Sequence, residues 1–211
     1  METEVKLSRA EKKEQQLSEI YRFMEEKGGI AKTAEILNLG VDYRRLQKFV
    51  EEGKLERVKN GYYAVGFREK PEESMIPLLF PDGILCMESA LYYHGYLKER
   101  PYIWHIAIDK NTSKSRFKMD YPIIQPYYSE MSVLGLGVTT INLEGKEMKI
   151  YEKERLICDC LKYEDKMDRK NLKRGLLSFL GDGEKDIAKL MIYAKERRVV
   201  EKVRNRIGVW L

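Results

Sequence analysis

Residues 43–59 combine basic, amide and aromatic side chains in types and spacings that suit contact with nucleic acid. Arginine and lysine neutralise phosphates, and arginine and glutamine also donate hydrogen bonds to base edges. Helical spacing directs Leu46, Phe49 and Val50 toward a core. The opposite face carries the side chains that we predict to enter a major groove: Tyr43, Arg44, Arg45, Gln47 and Lys48.

The basic helix is followed by a predicted two-stranded hairpin over residues 55–58 and 62–65. Asn60-Gly61 stands at its tip, and this pair is the strongest short-range signal for a two-residue turn in which both residues take φ > 0. Arg57 and Lys59 are placed to reach a phosphate backbone. A basic helix followed by such a hairpin is typical of a recognition helix and its wing.

The segment before this helix supplies the rest of a winged helix-turn-helix domain over residues 1–66. Ser8 and Glu11 form a capping box for a first amphipathic helix, which ends at Gly28-Gly29. A short second helix over 31–37 stops before Gly40, and Asp42 is a good N-cap for the third helix. Two alternatives remain for the basic face, which are a solvated surface and a protein-docking module.

A polar segment over residues 67–74, with Pro71 inside it, predicts a linker to a second domain over residues 75–211. Alternating or β-branched runs predict strands over 104–109, 123–127, 139–143 and 148–151. Gly145 marks the turn between the last two strands. Residues 156–210 show repeated helical spacing. Strands grouped ahead of helices indicate the α+β class, with several helices at the C-terminal end.

Five side chains of the second domain are candidates for catalysis, namely Glu88, His94, His105, Asp109 and Asp159. Each has a structural explanation. Helix starts use groups such as Glu88 as caps, His94 stands at a helix end, His105 lies in a strand and Asp109 begins a turn. Arg155 and Asp159 are spaced to form an ion pair within one helical turn. We expect no catalytic residue, no metal site and no cofactor.

A loose nuclease pattern provides the enzymatic alternative. Asp82 and the later Glu147-Met148-Lys149 contain the carboxylates and the lysine that could hold magnesium and activate water. A chain with this many glutamates and lysines contains that permissive pattern by chance. The pattern therefore gives little support to a metal-dependent nuclease.

The last predicted helices carry a second basic cluster. Val199, Val203, Ile207 and Trp210 have the spacing of a buried stripe. Cations on such a helix are commonly solvated while their stems cover apolar surface. The alternative is a second anionic contact, with DNA backbone or RNA, made by Arg197, Arg198, Lys202, Arg204 and Arg206.

Composition limits the remaining classes. The net charge of +5 is small beside 39 basic and 34 acidic residues, so only clustered charge would favour an anionic partner. Three cysteines without a C-x-x-C pair favour reduced thiols over a disulfide framework or a zinc site. No apolar run is long enough for a membrane span, and the N-terminus lacks the apolar region of a signal peptide. We expect a cytoplasmic protein without membrane contact.

An ordered set of sequence blocks over residues 28–165 resembles the AbiEi family of antitoxins and transcriptional regulators. The blocks are Gly29-Ile30, RRLQKFVEEGKLERVKNGYYAV from Arg44, ESAL from Glu88 with His94-Gly95, WHIAID from Trp104, and ERLICD from Glu154. The resemblance implies a winged-helix domain that represses its own operon by binding promoter DNA. It also implies a C-terminal domain that counters a nucleotidyltransferase-like toxin encoded beside it, in a type IV arrangement that needs no stable complex.

The sequence therefore supports a non-enzymatic DNA-binding autorepressor and antitoxin of an abortive-infection toxin-antitoxin system. A stand-alone regulator whose α+β domain senses a small ligand is the alternative from another class. The metal-dependent nuclease is the third hypothesis.

Overall fold

A computed structural model describes residues 8–208 and divides the chain into two compact units, Met1–Leu79 and Phe80–Leu211. Helices and two separate sheets make the protein a mixed α+β structure, as the sequence predicts. The units divide after the predicted linker. Residues 67–69 form a 3₁₀ turn and residues 72–79 a helix, so the segment 67–74 carries regular structure of the first unit.

The first unit contains four helices and three strands within its described residues. The helices are α1 (Arg9–Glu26), α2 (Thr33–Leu37), α3 (Tyr43–Glu51) and α4 (Glu72–Leu79). The strands are β1 (Ile30–Lys32), β2 (Glu56–Lys59) and β3 (Tyr62–Ala64). The predicted capping box is present, since Ser8 Oγ accepts from the Glu11 amide over 3.2 Å and the Glu11 carboxylate accepts from the Ser8 amide over 2.7 Å.

Strand β1 was not predicted from the sequence. The sequence predicts Ala31 in the second helix, but it lies in β1 and pairs with Tyr63, so the hairpin is part of a three-stranded antiparallel sheet ordered β1-β3-β2. Helix α2 begins later, at Thr33, whose amide donates to the carbonyl of Gly61 over 2.9 Å. Pairing with a distant strand supplies hydrogen bonds that local propensity does not reveal.

Apolar side chains from α1, α2 and α3 form the core of this unit. Ile20, Met24, Ile36, Leu46 and Phe49 are all at most 1% exposed. The predicted inward face of the third helix is confirmed for Leu46 and Phe49, whereas Val50 is only partly buried at the edge of the core. Complete burial of such side chains contributes roughly 1.5–3 kcal/mol each.

The second unit is built on a five-stranded mixed sheet ordered β6-β5-β4-β8-β7. Its strands are β4 (Ile84–Leu85), β5 (Trp104–Asp109), β6 (Ile124–Ser129), β7 (Val138–Leu143) and β8 (Lys146–Tyr151). Strands β5 and β6 run parallel, and β7 and β8 form the predicted hairpin. Gly145, at φ 79°, provides the left-handed turn residue that this hairpin requires.

Six helices complete the described part of the second unit. They are α5 (Met87–Tyr93), α6 (Met131–Leu134), α7 (Lys153–Lys162), α8 (Arg169–Gly181), α9 (Ile187–Arg197) and α10 (Val200–Ile207). Helix α7 is the centre of this group, with Leu156, Ile157 and Leu161 fully buried. The predicted inward residue Trp210 lies outside the described residues. Within residues 8–208, no helix is long and apolar enough to cross a membrane.

Candidate nucleic-acid interface

Helix α3 is fixed at both ends by hydrogen bonds, one within its own first turn and two from α1. Asp42 caps it by accepting from the amide of Arg45 over 2.8 Å, as its position before the helix predicts. Gly40, at φ 79°, closes the turn from α2, and its carbonyl accepts from Gln16 on α1 over 3.2 Å. After the helix, Tyr21 on α1 donates to the carbonyl of Lys54 over 3.0 Å. These contacts set the angle at which α3 presents its outer face.

The outer face of α3 leaves most of the predicted groove residues accessible. Tyr43 is 52% exposed, and Arg44 and Lys48 are exposed as well, while Arg45 is half-buried. Gln47 is also half-buried, and its amide donates to the hydroxyl of the buried Tyr63 over 3.1 Å. The structure therefore presents three of the five side chains freely and ties Gln47 to the sheet.

The β2–β3 hairpin departs from the predicted turn. Gly61 has φ 78°, but Asn60 is not among the residues with positive φ, so both turn residues do not adopt the left-handed conformation expected of an Asn-Gly hairpin. The register shifts between Arg57 and Lys59, which places a bulge at Val58. A bulge adds local twist to a hairpin. The Asn60 side chain accepts from Arg57 over 3.0 Å and steadies the tip.

The bulge also corrects the expectation for Lys59. Regular alternation would leave Arg57 and Lys59 on one face, but the extra residue sends them to opposite faces. Arg57 is exposed, whereas Lys59 is only 4% exposed and donates to the carbonyl of Leu79 over 2.7 Å. Its ammonium also lies 4.3 Å from the centre of the Tyr62 ring. Lys59 is thus a buried structural residue rather than a phosphate contact.

Two glutamates at the C-terminal end of α3 are the acidic part of this surface. Glu52 pairs with Lys13 on α1 over 2.5 Å, and that hydrogen bond lowers the pKa of the Glu52 carboxyl. Glu51 is exposed. The cations Arg44 and Lys48 lie on the turns before them. An anionic partner would therefore be favoured at the N-terminal and central part of the helix.

The second basic cluster, on α9 and α10, is largely occupied by ion pairs. Arg197 is 4% exposed, and its Nε donates to Asp159 over 2.6 Å, so the predicted anionic contact is wrong for this residue. Lys202 and Arg206 both pair with Glu164, over 2.9 and 3.0 Å, and Arg204 pairs with Glu201 over 3.2 Å. Arg198 is exposed. These partners explain most of the cluster as stabilising contacts of the second unit.

The proposed structural ion pair between Arg155 and Asp159 is confirmed, at 3.1 Å and fully buried. His94 ends α5 and hydrogen-bonds the carbonyl of Tyr151 over 2.7 Å, and Asp109 accepts from the amide of Asn111, as predicted. Glu88 lies in the first turn of α5, as predicted, but sequence reasoning missed its burial. Its carboxylate also accepts from the amide of Asp168 over 3.4 Å.

The nuclease pattern is not assembled into a metal site by these contacts. Asp82 binds Arg116 through both carboxylate oxygens, one of them at 2.7 Å. Glu147 and Lys149 are exposed on strand β8. Within residues 8–208, no group of three or more His, Cys, Asp or Glu side chains is arranged to hold a metal ion.

Comparison with known proteins identifies a relationship for the segment that contains this surface. A search of curated proteins gave no match to the chain. Residues 18–66, which run from α1 through the β2–β3 hairpin, match the family described as "Transcriptional regulator, AbiEi antitoxin". Over these residues, the family match confirms the predicted resemblance to AbiEi antitoxins that are transcriptional regulators.

Proposed function

We propose that the protein is a DNA-binding transcriptional autorepressor that also acts as an antitoxin. The first unit would be a winged helix-turn-helix domain, with α3 as the recognition helix and the β2–β3 hairpin as its wing. The partner would be double-stranded promoter DNA. The observation that carries the proposal is that the family match over residues 18–66 contains the exposed cations Arg44, Lys48 and Arg57.

The order of the elements supports this assignment. A helix, a short strand, two helices joined by a glycine turn and a hairpin follow one another, and β1 pairs with the hairpin. In helix-turn-helix proteins, the second helix of the motif enters the major groove while neighbouring elements contact phosphates. Tyr43, Arg44 and Lys48 would contact the groove, Arg45 and Arg57 the backbone, and Gln47 would orient the helix against Tyr63.

The test is titration of the full chain against the DNA upstream of its own gene at several salt concentrations. In the double variant Arg44→Ala/Lys48→Ala, we expect affinity to fall by about 2–6 kcal/mol if both contact base edges, or the salt slope to fall by about 0.9 per lost phosphate contact. The matched control is Lys12→Ala/Arg22→Ala, which removes two exposed cations from α1. Equal losses in both variants would overturn the recognition-helix assignment.

We propose that the second unit counters a nucleotidyltransferase-type toxin encoded in the same operon, without requiring a stable complex. The family description supports an antitoxin role, while the nucleotidyltransferase-type partner and the assignment to the second unit rest on the sequence resemblance. Co-expression of the full chain with the product of the neighbouring gene should relieve growth arrest. The Arg44→Ala/Lys48→Ala variant should still relieve arrest while losing promoter repression. Growth arrest that persists with the intact chain would exclude the antitoxin role and leave the DNA-binding role untouched.

A further inference from the structure

A cavity of about 470 Å³ lies within the second unit, where the carboxyl ends of β5 and β6 meet. Lys110 follows β5 and Ser129 ends β6, while the ends of α7 and α9 supply Lys162, Tyr163 and Arg198. Its volume is within the range of sites that hold small metabolites and cofactors. Carboxyl ends of neighbouring parallel strands are also a common location for ligands.

One hydroxyl group in the cavity wall has no partner among the described residues. Ser129 is 8% exposed, and its Oγ is buried and unpaired, whereas the side chain of the neighbouring Tyr128 lies on the opposite face of the sheet against Phe117. Buried polar groups are nearly always hydrogen-bonded, because an unpaired one loses its water without compensation. An acceptor held in the cavity beside Ser129 would satisfy this hydroxyl.

The cationic side chains of the cavity differ in whether they already form an ion pair with a carboxylate. Lys110 pairs with Glu130 over 2.7 Å, and Arg197 is engaged with Asp159. Lys162 and Arg198 form no ion pair with a carboxylate in the described part of the chain. Burial and the charge of Arg197 lower the pKa of Lys162, so a negative ligand would favour its charged form. Lys162 does donate to the carbonyl of Arg197 over 3.5 Å, and the exposed Glu196 also lines the cavity. The cavity therefore offers two cations without a carboxylate partner beside one donor hydroxyl.

We propose that this cavity binds a phosphorylated small molecule of nucleotide size. A phosphate has several acceptor oxygens and can receive hydrogen bonds from Lys162, Arg198 and the hydroxyl of Ser129 together. The half-buried ring of Tyr163 supplies a flat surface against which a base can stack. Every residue in the argument belongs to the second unit, so the proposal is independent of DNA binding.

The first experiment is calorimetric titration of the full chain with AMP, ATP and inorganic phosphate. At least one nucleotide should bind, and more tightly than inorganic phosphate, because the base adds contacts. The Lys162→Gln/Arg198→Gln variant should weaken binding by about tenfold or more, as expected for loss of charged hydrogen bonds. Lys195→Gln, which removes an exposed cation of α9 outside the cavity wall, should bind as the unaltered protein does.

A second variant separates ligand contact from structural damage. Ser129→Ala removes a hydroxyl that has no partner within residues 8–208, so the melting temperature of the free protein should stay the same or rise while nucleotide affinity falls. The proposal is overturned by any of four results. These are no binding of the nucleotides at millimolar concentration, equal losses in Lys195→Gln and the double variant, a lowered melting temperature in Ser129→Ala, or tighter binding of an RNA oligonucleotide than of any mononucleotide.

Discussion

Arg197 at the end of α9 donates a 2.6 Å hydrogen bond from Nε to Asp159 on α7, and both side chains are at least 95% buried. Arg155 reaches the other carboxylate oxygen of Asp159 over 3.1 Å. Two further hydrogen bonds of 2.7 Å run from Arg155 to the carbonyls of Val133 and Leu136. One carboxylate thus joins α7 to α9 and, through Arg155, to the loop that follows α6.

Removing the acidic member of this group should strongly destabilise the protein. Asp159→Asn leaves two buried guanidinium groups without a charged partner, and we expect a loss of about 3–5 kcal/mol in the free energy of unfolding. Urea denaturation of the full chain measures this loss. The control is Glu201→Gln, which breaks the exposed pair with Arg204 and should cost less than about 1 kcal/mol. Similar losses in the two variants would contradict the proposed importance of burial.

His105 should make stability depend on pH in weakly acidic solution. Burial lowers the pKa of His105 to about 4 from the ordinary value of 6.5, and Glu88, 3.4 Å away, is itself a buried carboxyl whose pKa is raised by burial. Between pH 4 and pH 6.5, His105 is protonated more readily in the unfolded chain than in the folded protein. The contribution of His105 is therefore intact above pH 6.5 and is lost as the pH falls toward 4, at up to about 1.4 kcal/mol per pH unit.

The measurement is the free energy of unfolding of the unaltered protein and of His105→Gln at several pH values between 4 and 7. Relative to the variant, the unaltered protein should lose stability as the pH falls. The His94→Gln variant removes the other histidine of the chain and still contains His105. The pH dependence that His105 causes should therefore remain in this variant. Parallel stability curves for the unaltered protein and His105→Gln would rule out the buried neutral imidazole.

Two glycines with the same backbone conformation should respond differently to alanine. Gly137 has φ 66°, and an added Cβ would lie 2.7 Å from Cβ of Arg155 and 3.1 Å from the ring of Tyr193. Gly145 has φ 79° but faces open space. We expect Gly137→Ala to cost about 2–4 kcal/mol, from backbone strain and overpacking, and Gly145→Ala only about 1–2 kcal/mol from strain. Thermal or urea unfolding measures both, and equal losses would refute the predicted close packing.

The bulge in the hairpin separates a DNA contact from a structural residue. Arg57→Ala should lower the salt slope of promoter binding by about 0.9 if it contacts one phosphate, and leave stability nearly unchanged. Lys59→Met should reduce stability by about 1–3 kcal/mol, because its hydrogen bond to the Leu79 carbonyl is lost, and should not change the salt slope. A reduced salt slope in Lys59→Met with unchanged stability would reverse these two assignments.

The sequence by itself determined the parts of the fold that depend on local interactions. Ser8 with Glu11 and Asp42 were identified as caps because capping uses amides within one helical turn. Leu46 and Phe49 were placed in the core by the helical period, and Trp104–Asp109 was placed in a strand by its residue types. The resemblance to AbiEi regulators was likewise present in the residues and is matched over 18–66.

Only the tertiary structure decided the positions that depend on distant partners. Strand β1 forms because it pairs with β3. The Lys59 side chain is buried because of a bulge that the alternating sequence pattern does not predict. Arg197 was counted with the surface cations because its partner, Asp159, is 38 residues away along the chain. The cavity beside Ser129 is assembled from two strand ends and two helix ends. Folding brings these groups together, so their burial and pairing are properties of the packed chain, whereas caps and periodicity belong to the local sequence.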